Sequence, residues 1–204
     1  MRNTEYKRKR NPIILLVCEG KNKSERKYFS HFQERDSTYR LIIKDSEATD
    51  ILGMTKRAKK LYNDYQMDAE IGDHVFCLID LDLRRDKYLA LLQAKKRFPK
   101  VEFIVSNPCF EVWLLYYFSA NPKAVTSSKA VKEQLKKYVP EYEETLDVYA
   151  QYSLRDKHPV AVERSRFKNG FYDFNSLLID RNPYTEIQNL ITLLQERKTN
   201  ADDI

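Results

Sequence analysis

Glycine is scarce in this chain: 4 of 204 residues, at positions 20, 53, 72 and 170, where an average protein would carry roughly 7%. No two lie close together, so the chain has no G-x-x-x-x-G-K-[ST] phosphate loop, no G-x-G-x-x-G dinucleotide turn and no kinase-type glycine-rich loop. Any phosphate chemistry must therefore rest on side chains and metal rather than on a glycine cradle. Cysteine is also sparse. Cys18, Cys77 and Cys109 are odd in number, far apart and set in apolar runs, with no C-x-x-C and no histidine at zinc spacing. They read as reduced, buried thiols of a cytoplasmic protein. No apolar run approaches the ~18 residues of a membrane span. The basic start, MRNTEYKRKRN, lacks the long apolar stretch and small-residue cleavage site of a signal peptide.

What is present is charge and aromatic bulk. Thirty-six lysines and arginines stand against 30 acids, a net charge of +6, and 42% of the residues are hydrophobic. The balance permits a polyanionic partner without requiring one. After a basic arm over residues 1–11, short apolar runs alternate with amphipathic stretches. Strands are expected at Ile13–Cys18, near Tyr39–Lys44, at Val75–Ile79 and at Val101–Val105. Helices are expected after Ser24 as cap, over 51–69, over 85–97 and over Cys109–Phe118, the last started by Asn107-Pro108. Alternating β and α predicts an α/β fold with a mostly parallel central sheet. Beyond residue 120 the strand signals vanish and helices are expected near 127–138, 143–167 and 183–197, with Asn182-Pro183 as a second helix start. The expected organisation is an arm (1–11), an α/β core (12–119) and a helical region (120–204) packed on that core.

In open α/β sheets, ligands bind beyond the carboxyl ends of the strands. Glu19 leaves the first predicted strand there, and Asp80 and Asp82 leave the third. Residues one apart in an extended segment point the same way. Gathered carboxylates repel unless a cation lies between them, and hard oxygen donors suit Mg²⁺ or Mn²⁺. Such an ion polarises a phosphoryl oxygen and orients water, which points to phosphodiester cleavage or phosphoryl transfer. Acidic pairs after strands are often no more than solvated turns or helix caps.

The strings ILLVCEGKNKSERKYF, VFCLIDLD and VEFIVSNPCFEVWLLYYF, with the terminal NPYTEIQNLITLL, resemble the RloB-like family across residues 12–197. The order of strand–Glu-Gly and then strand–Asp-x-Asp is similar to the Toprim domain of primases, topoisomerases and OLD-type nucleases. The resemblance implies a Toprim-like core and metal-dependent nuclease activity in bacterial or archaeal antiviral defence, of the abortive-infection kind, often beside an ATPase partner protein. It makes Glu19 a metal ligand or general acid/base, and Asp80 and Asp82 metal ligands. One departure stands out: Leu81 and Leu83 flank Asp82 and Arg84-Arg85 follow, where family members often carry a basic residue between the aspartates and further acid after them.

Glu111 is either a fourth catalytic carboxylate or an acid favoured by a helix N-terminus. Lys21, Lys23, Arg84 and Arg85 are candidates to meet a nucleic-acid backbone or are solvated loop charges. The stretch Arg155, Lys157, Arg164, Arg166 and Lys168, with Tyr152 and Phe167, is either a nucleic-acid surface or a charged helix face. The arm Lys7-Arg8-Lys9-Arg10 is a further polyanion grip. Trp113 is expected in the core, and pairing of Cys109 with His158 as nucleophile and base has nothing to fix it. The expected activity is Mg²⁺- or Mn²⁺-dependent cleavage of DNA or RNA. The rival is a non-catalytic or partner-dependent subunit of an ATPase-containing complex that binds nucleic acid or a nucleotide. A homo-oligomer is left open.

Overall fold

The computed structural model describes residues 10–19, 23–34 and 37–199. Five strands form one sheet in the order β2-β1-β3-β4-β5. They are β1 (Ile13–Glu19), β2 (Arg40–Ser46), β3 (His74–Asp80), β4 (Glu102–Asn107) and the two-residue β5 (Tyr184–Thr185). The first four are parallel and β5 runs antiparallel to β4. β1 has six consecutive buried residues, as a central parallel strand covered on both faces must.

Period-two alternation divides those residues between two cores. Ile14, Leu16 and Cys18 face one side, with Phe76 and Leu78 of β3. They pack against α1 (Lys23–Ser30), α4 (Glu111–Phe118), α5 (Ser128–Leu135), α6 (Val148–Gln151), α7 (His158–Asn169) and α8 (Ile187–Thr199). Ile13, Leu15 and Val17 face the other side, against α2 (Ile51–Asp64) and α3 (Arg85–Arg97). The α/β architecture, with helices on both faces and a set of C-terminal helices, is the one expected. Among the described residues no helix is long and apolar enough to cross a membrane, and none of the three cysteines is in a disulfide.

Several local expectations are corrected. Ser24 lies inside α1, not at its cap, and its hydroxyl meets Tyr142 Oη at 3.1 Å. Pro108 is outside the helix: the Asn107–Pro108 peptide is cis and α4 starts at Glu111. Asn182–Pro183 is likewise cis and leads into β5, with α8 starting only at Ile187. A strand therefore does follow residue 120. Two residues carry no periodicity, and β5 exists because β4 offers it an open edge. The long helix expected over 143–167 is broken into α6, a 3₁₀ turn at Arg155–Lys157 and α7. Ser153, at φ 49°, interrupts the chain between them.

The amino ends of β1 and β3 are locked by one buried acid. Asp73, 3% exposed, accepts hydrogen bonds from the backbone N–H of Ile13 at 2.6 Å and of Asp68 at 2.7 Å. It also accepts a forked pair from Arg10, at 2.9 and 2.5 Å. Arg10 is thus tied to the body of the protein; the rest of the basic arm, residues 1–9, lies outside the described residues. Burial pushes the Asp73 carboxyl up, but bonds from Arg10, Ile13 and Asp68 outweigh it and hold it below the usual range. A carboxyl lowered by folding stabilises fully above its unfolded value of about 3.9, and that stabilisation disappears as pH falls through the lower folded value. Asp73→Asn should lower the melting temperature at pH 7 by several degrees, corresponding to about 1–3 kcal/mol. Calorimetric melts should show its deficit against wild type narrowing below about pH 4.

Candidate active site at the carboxyl ends of the strands

From β1 the chain turns toward β2 on one side, and from β3 it turns toward β4 on the other. The crevice between β1 and β3 is therefore the switch point of the sheet, where open α/β proteins bind ligands. A cleft of about 160 Å³ opens there, lined by Glu19, Ser24, Glu25, Asp80, Asp82, Cys109, Phe110, Glu111, Ser128 and Lys132. All four candidate catalytic carboxylates are brought together. Glu19 ends β1, Asp80 ends β3, Asp82 follows it, and Glu111 opens α4 behind β4.

Asp82 does not reach the cleft as an extended residue. Leu81–Arg84 is a tight turn closed by Arg84 N–H to Leu81 O at 2.9 Å, with Asp82 at φ 52° and Leu83 at φ 57°. Two successive positive φ values are the signature of a type I′ turn. An aspartate tolerates this region, whereas for leucine it costs on the order of 1–3 kcal/mol. The surroundings enforce it. Leu81 is fully buried, and its N–H bonds Ser106 O at 2.9 Å while that of Asp82 bonds Pro108 O at 2.8 Å. Asn107, also fully buried, accepts from Leu83 N–H at 3.1 Å and donates to Ile179 O and Arg181 O at 3.0 and 2.8 Å. Asn107 is thus a clamp on the turn and not a helix cap.

Asp82 and Glu111 are held by side chains from other elements. Asp82 Oδ2 accepts from Lys87 Nζ at 2.6 Å, and Oδ1 accepts from Ser128 Oγ at 2.6 Å. Glu111, 4% exposed, accepts from Tyr142 Oη at 2.7 Å and lies 3.7 Å from Lys132 Nζ, which also pairs with Glu144 at 2.5 Å. Burial pushes the Asp80 carboxyl well above the carboxylate range, and the charges of Glu111, Asp82 and Glu19 push it further, with Lys87 opposing. Burial lowers the Lys132 ammonium, but the charges of Glu111 and Glu144 prevail and raise it.

The carboxylates of the cleft are hard oxygen donors of the kind a divalent cation takes, with Asp80 held against the charge of its neighbours; Cys109 and Lys132 line the cleft beside them. Among the described residues, no three His, Cys, Asp or Glu side chains converge as a metal cluster; both Asp82 oxygens are engaged by Lys87 and Ser128. The fit lies in donor chemistry rather than in a closed coordination shell.

Other candidates fall elsewhere. Arg84 and Arg85 are exposed and do not line the cleft; Arg84 pairs with Asp86. Lys21 and the side chain of Lys23 lie outside the described residues. Trp113 is fully buried in the core. Both nitrogens of buried His158 are engaged, by Tyr117 Oη at 2.6 Å and Tyr149 Oη at 3.1 Å, so it serves as no base for Cys109. In the basic stretch, Arg164 bonds the carbonyls of Tyr116 and Tyr117, Arg166 bonds Thr192, and Arg155 pairs with Glu34. These contacts tie the stretch to α4, α8 and the segment that follows α1. Phe167 and Phe171 remain exposed beside a groove of about 670 Å³ with no cluster of acids.

Sequence reasoning missed Glu25, Lys87, Ser128, Lys132 and Tyr142. For Glu25 a signal existed, an acid on the helix directly behind the Glu-Gly exit. Ser128, Lys132 and Tyr142 lie far along the chain in polar segments and carry no such signal.

Fold and site together define an α/β protein with an acidic, switch-point cleft. A family model described as RloB-like protein matches residues 14–194, and the chain belongs to that family. No curated protein and no solved structure matches it.

Because folding raises the Asp80 carboxyl, its favourable contribution is present below an unfolded value near 3.9 and is lost as pH rises through the folded value. In EDTA, Asp80→Asn should therefore melt higher than wild type at pH 7, by a few degrees. The gain should shrink toward pH 4, where both carry an uncharged group. Scanning calorimetry across pH checks both sign and trend; a lower melting temperature at pH 7 would contradict the assigned repulsion.

Proposed function

We propose that this chain is a Toprim-like nuclease that uses Mg²⁺ or Mn²⁺ to hydrolyse phosphodiester bonds of DNA or RNA, acting in the cytoplasm in antiviral defence. The observation that carries this reading is the gathering of Glu19, Asp80, Asp82 and Glu111 in one cleft at the switch point. A bound divalent cation would supply Lewis acidity to a phosphoryl oxygen and lower the pKa of a coordinated water.

The chain's own residues do the rest. Asp80 and Asp82 would hold the ion, and Glu19 would be a further ligand or the group that takes and returns a proton of the attacking water. Glu111, fixed by Tyr142, completes the negative wall. Lys132 supplies a positive charge at the rim of the cleft, suited to balancing charge that develops on the phosphate. Arg84 and Arg85, exposed outside the cleft, together with Lys21 and Lys23, which follow Glu19 in the sequence, are the cations proposed to meet the polyanion backbone. With no phosphate loop in the sequence, an ATP-driven step would belong to an ATPase partner.

Glu19→Ala and Asp80→Ala should each reduce Mg²⁺-dependent cleavage of labelled DNA or RNA at least about a hundredfold while leaving the fold intact by circular dichroism. Cleavage at the wild-type rate would sink the assignment. The engagement of both Asp82 oxygens by Lys87 and Ser128 favours a second reading. In that reading the chain is a partner-dependent subunit that binds nucleic acid or a nucleotide. Salt-dependent nucleic-acid binding that survives loss of the carboxylates, without cleavage, would favour it.

A further inference from the structure

Lys87 belongs to the first turn of α3, five residues after Asp82. Its ammonium donates to Asp82 Oδ2 at 2.6 Å and to the carbonyl oxygen of Asp80 at 3.0 Å. Its side chain is only 16% exposed. It thus sits on oxygens of both D-x-D residues, the type of donor a hard metal ion takes. The site disfavours a cation on local grounds, because a helix N-terminus carries positive charge. The last turn of the same helix carries Lys95, Lys96 and Arg97, and Arg84 and Arg85 at its start are exposed to solvent, whereas Lys87 is mostly buried. What holds Lys87 there is the negative charge beyond the strand ends. Of the cations near the cleft, Lys132 is shared between Glu111 and Glu144, whereas Lys87 is directed at the D-x-D segment.

We infer that Lys87 is a built-in counter-cation for Asp80 and Asp82, and that a divalent metal ion must displace it to bind there. The inference rests on the reading of these aspartates as metal ligands. Lysine suits the role, since a compact charge on a flexible four-carbon stem can swing away without rearranging the backbone. Ser128 suits the complementary role: it holds the other Asp82 oxygen, so the carboxylate stays oriented when the ammonium leaves. Lys87 is then a positioning residue that sets metal affinity and keeps the acidic cleft from repelling itself before metal arrives.

Affinity, not activity, tests this. MgCl₂ and MnCl₂ are titrated calorimetrically into the full chain and into Lys87→Met, Lys87→Gln and Ser128→Ala. Removing a competing ammonium should tighten metal binding about fivefold in both lysine variants, while Ser128→Ala should not tighten it. If a lysine variant is too unstable for calorimetry, the rise in melting temperature per added Mg²⁺ serves instead and should exceed that of wild type. Metal binding by wild type that Asp80→Asn abolishes, with equal or weaker affinity in both lysine variants, overturns the role of Lys87 and leaves the metal-site reading standing. Absence of metal binding in wild type and in both lysine variants, or binding unchanged by Asp80→Asn, overturns both.

Discussion

The constraint on which the site depends is buried negative charge at the end of β3. A carboxylate taken out of water and set beside others resists ionisation, and Asp80 is pushed upward by burial and by Glu111, Asp82 and Glu19 together. Such a cluster persists in a folded protein only if the rest of the structure compensates for it. The surroundings do so with two ammonium groups, Lys87 and Lys132, and with hydroxyl donors from Ser128 and Tyr142. Stability alone would favour apolar replacements here, and charge concentrated in this way is one of the features on which the proposed function rests.

The parallel sheet makes the concentration possible. Because β1, β3 and β4 run in one direction, their carboxyl ends lie on one edge, and whatever follows each strand is delivered to the same place. The turn after β3 then spends conformational energy to aim Asp82. Two residues at positive φ are tolerated because Asn107, Ser106 and Pro108 bond the turn from the neighbouring strand end. Rigid placement of an acid is what the proposed metal-assisted chemistry would require.

The C-terminal helices take part in this site. β5 extends the sheet beside β4, and the segment through Ile179 and Arg181 supplies the carbonyls that hold the Asn107 side chain. Ser128 and Lys132 of α5 line the cleft directly, and Tyr142 beyond it bonds Glu111. A domain division drawn near residue 120 therefore separates carboxylates from the groups that hold them.

Much of this was legible from residue order alone. Short, β-branched apolar runs such as Ile13–Cys18 suit a strand buried on both faces, and the βα alternation then implies parallel strands whose exits carry Glu19, Asp80 and Asp82 to one edge. That inference needs only local pattern and strand polarity. What local pattern cannot encode are contacts between distant segments. The type I′ turn at Asp82 and Leu83 contains no glycine to announce it, and its conformation is imposed by Asn107. β5 is two residues long and exists only as a partner of β4. Lys87, Ser128, Lys132 and Tyr142 are ordinary polar residues by composition, distinguished only by the carboxylates that tertiary packing sets against them. The chain by itself determined that Glu19, Asp80 and Asp82 leave strands at one edge, because the order of strands and helices is written in local pattern; tertiary structure alone decided that Glu25 and Glu111 join them and which groups hold them, because hydrogen bonds and ion pairs follow proximity in space.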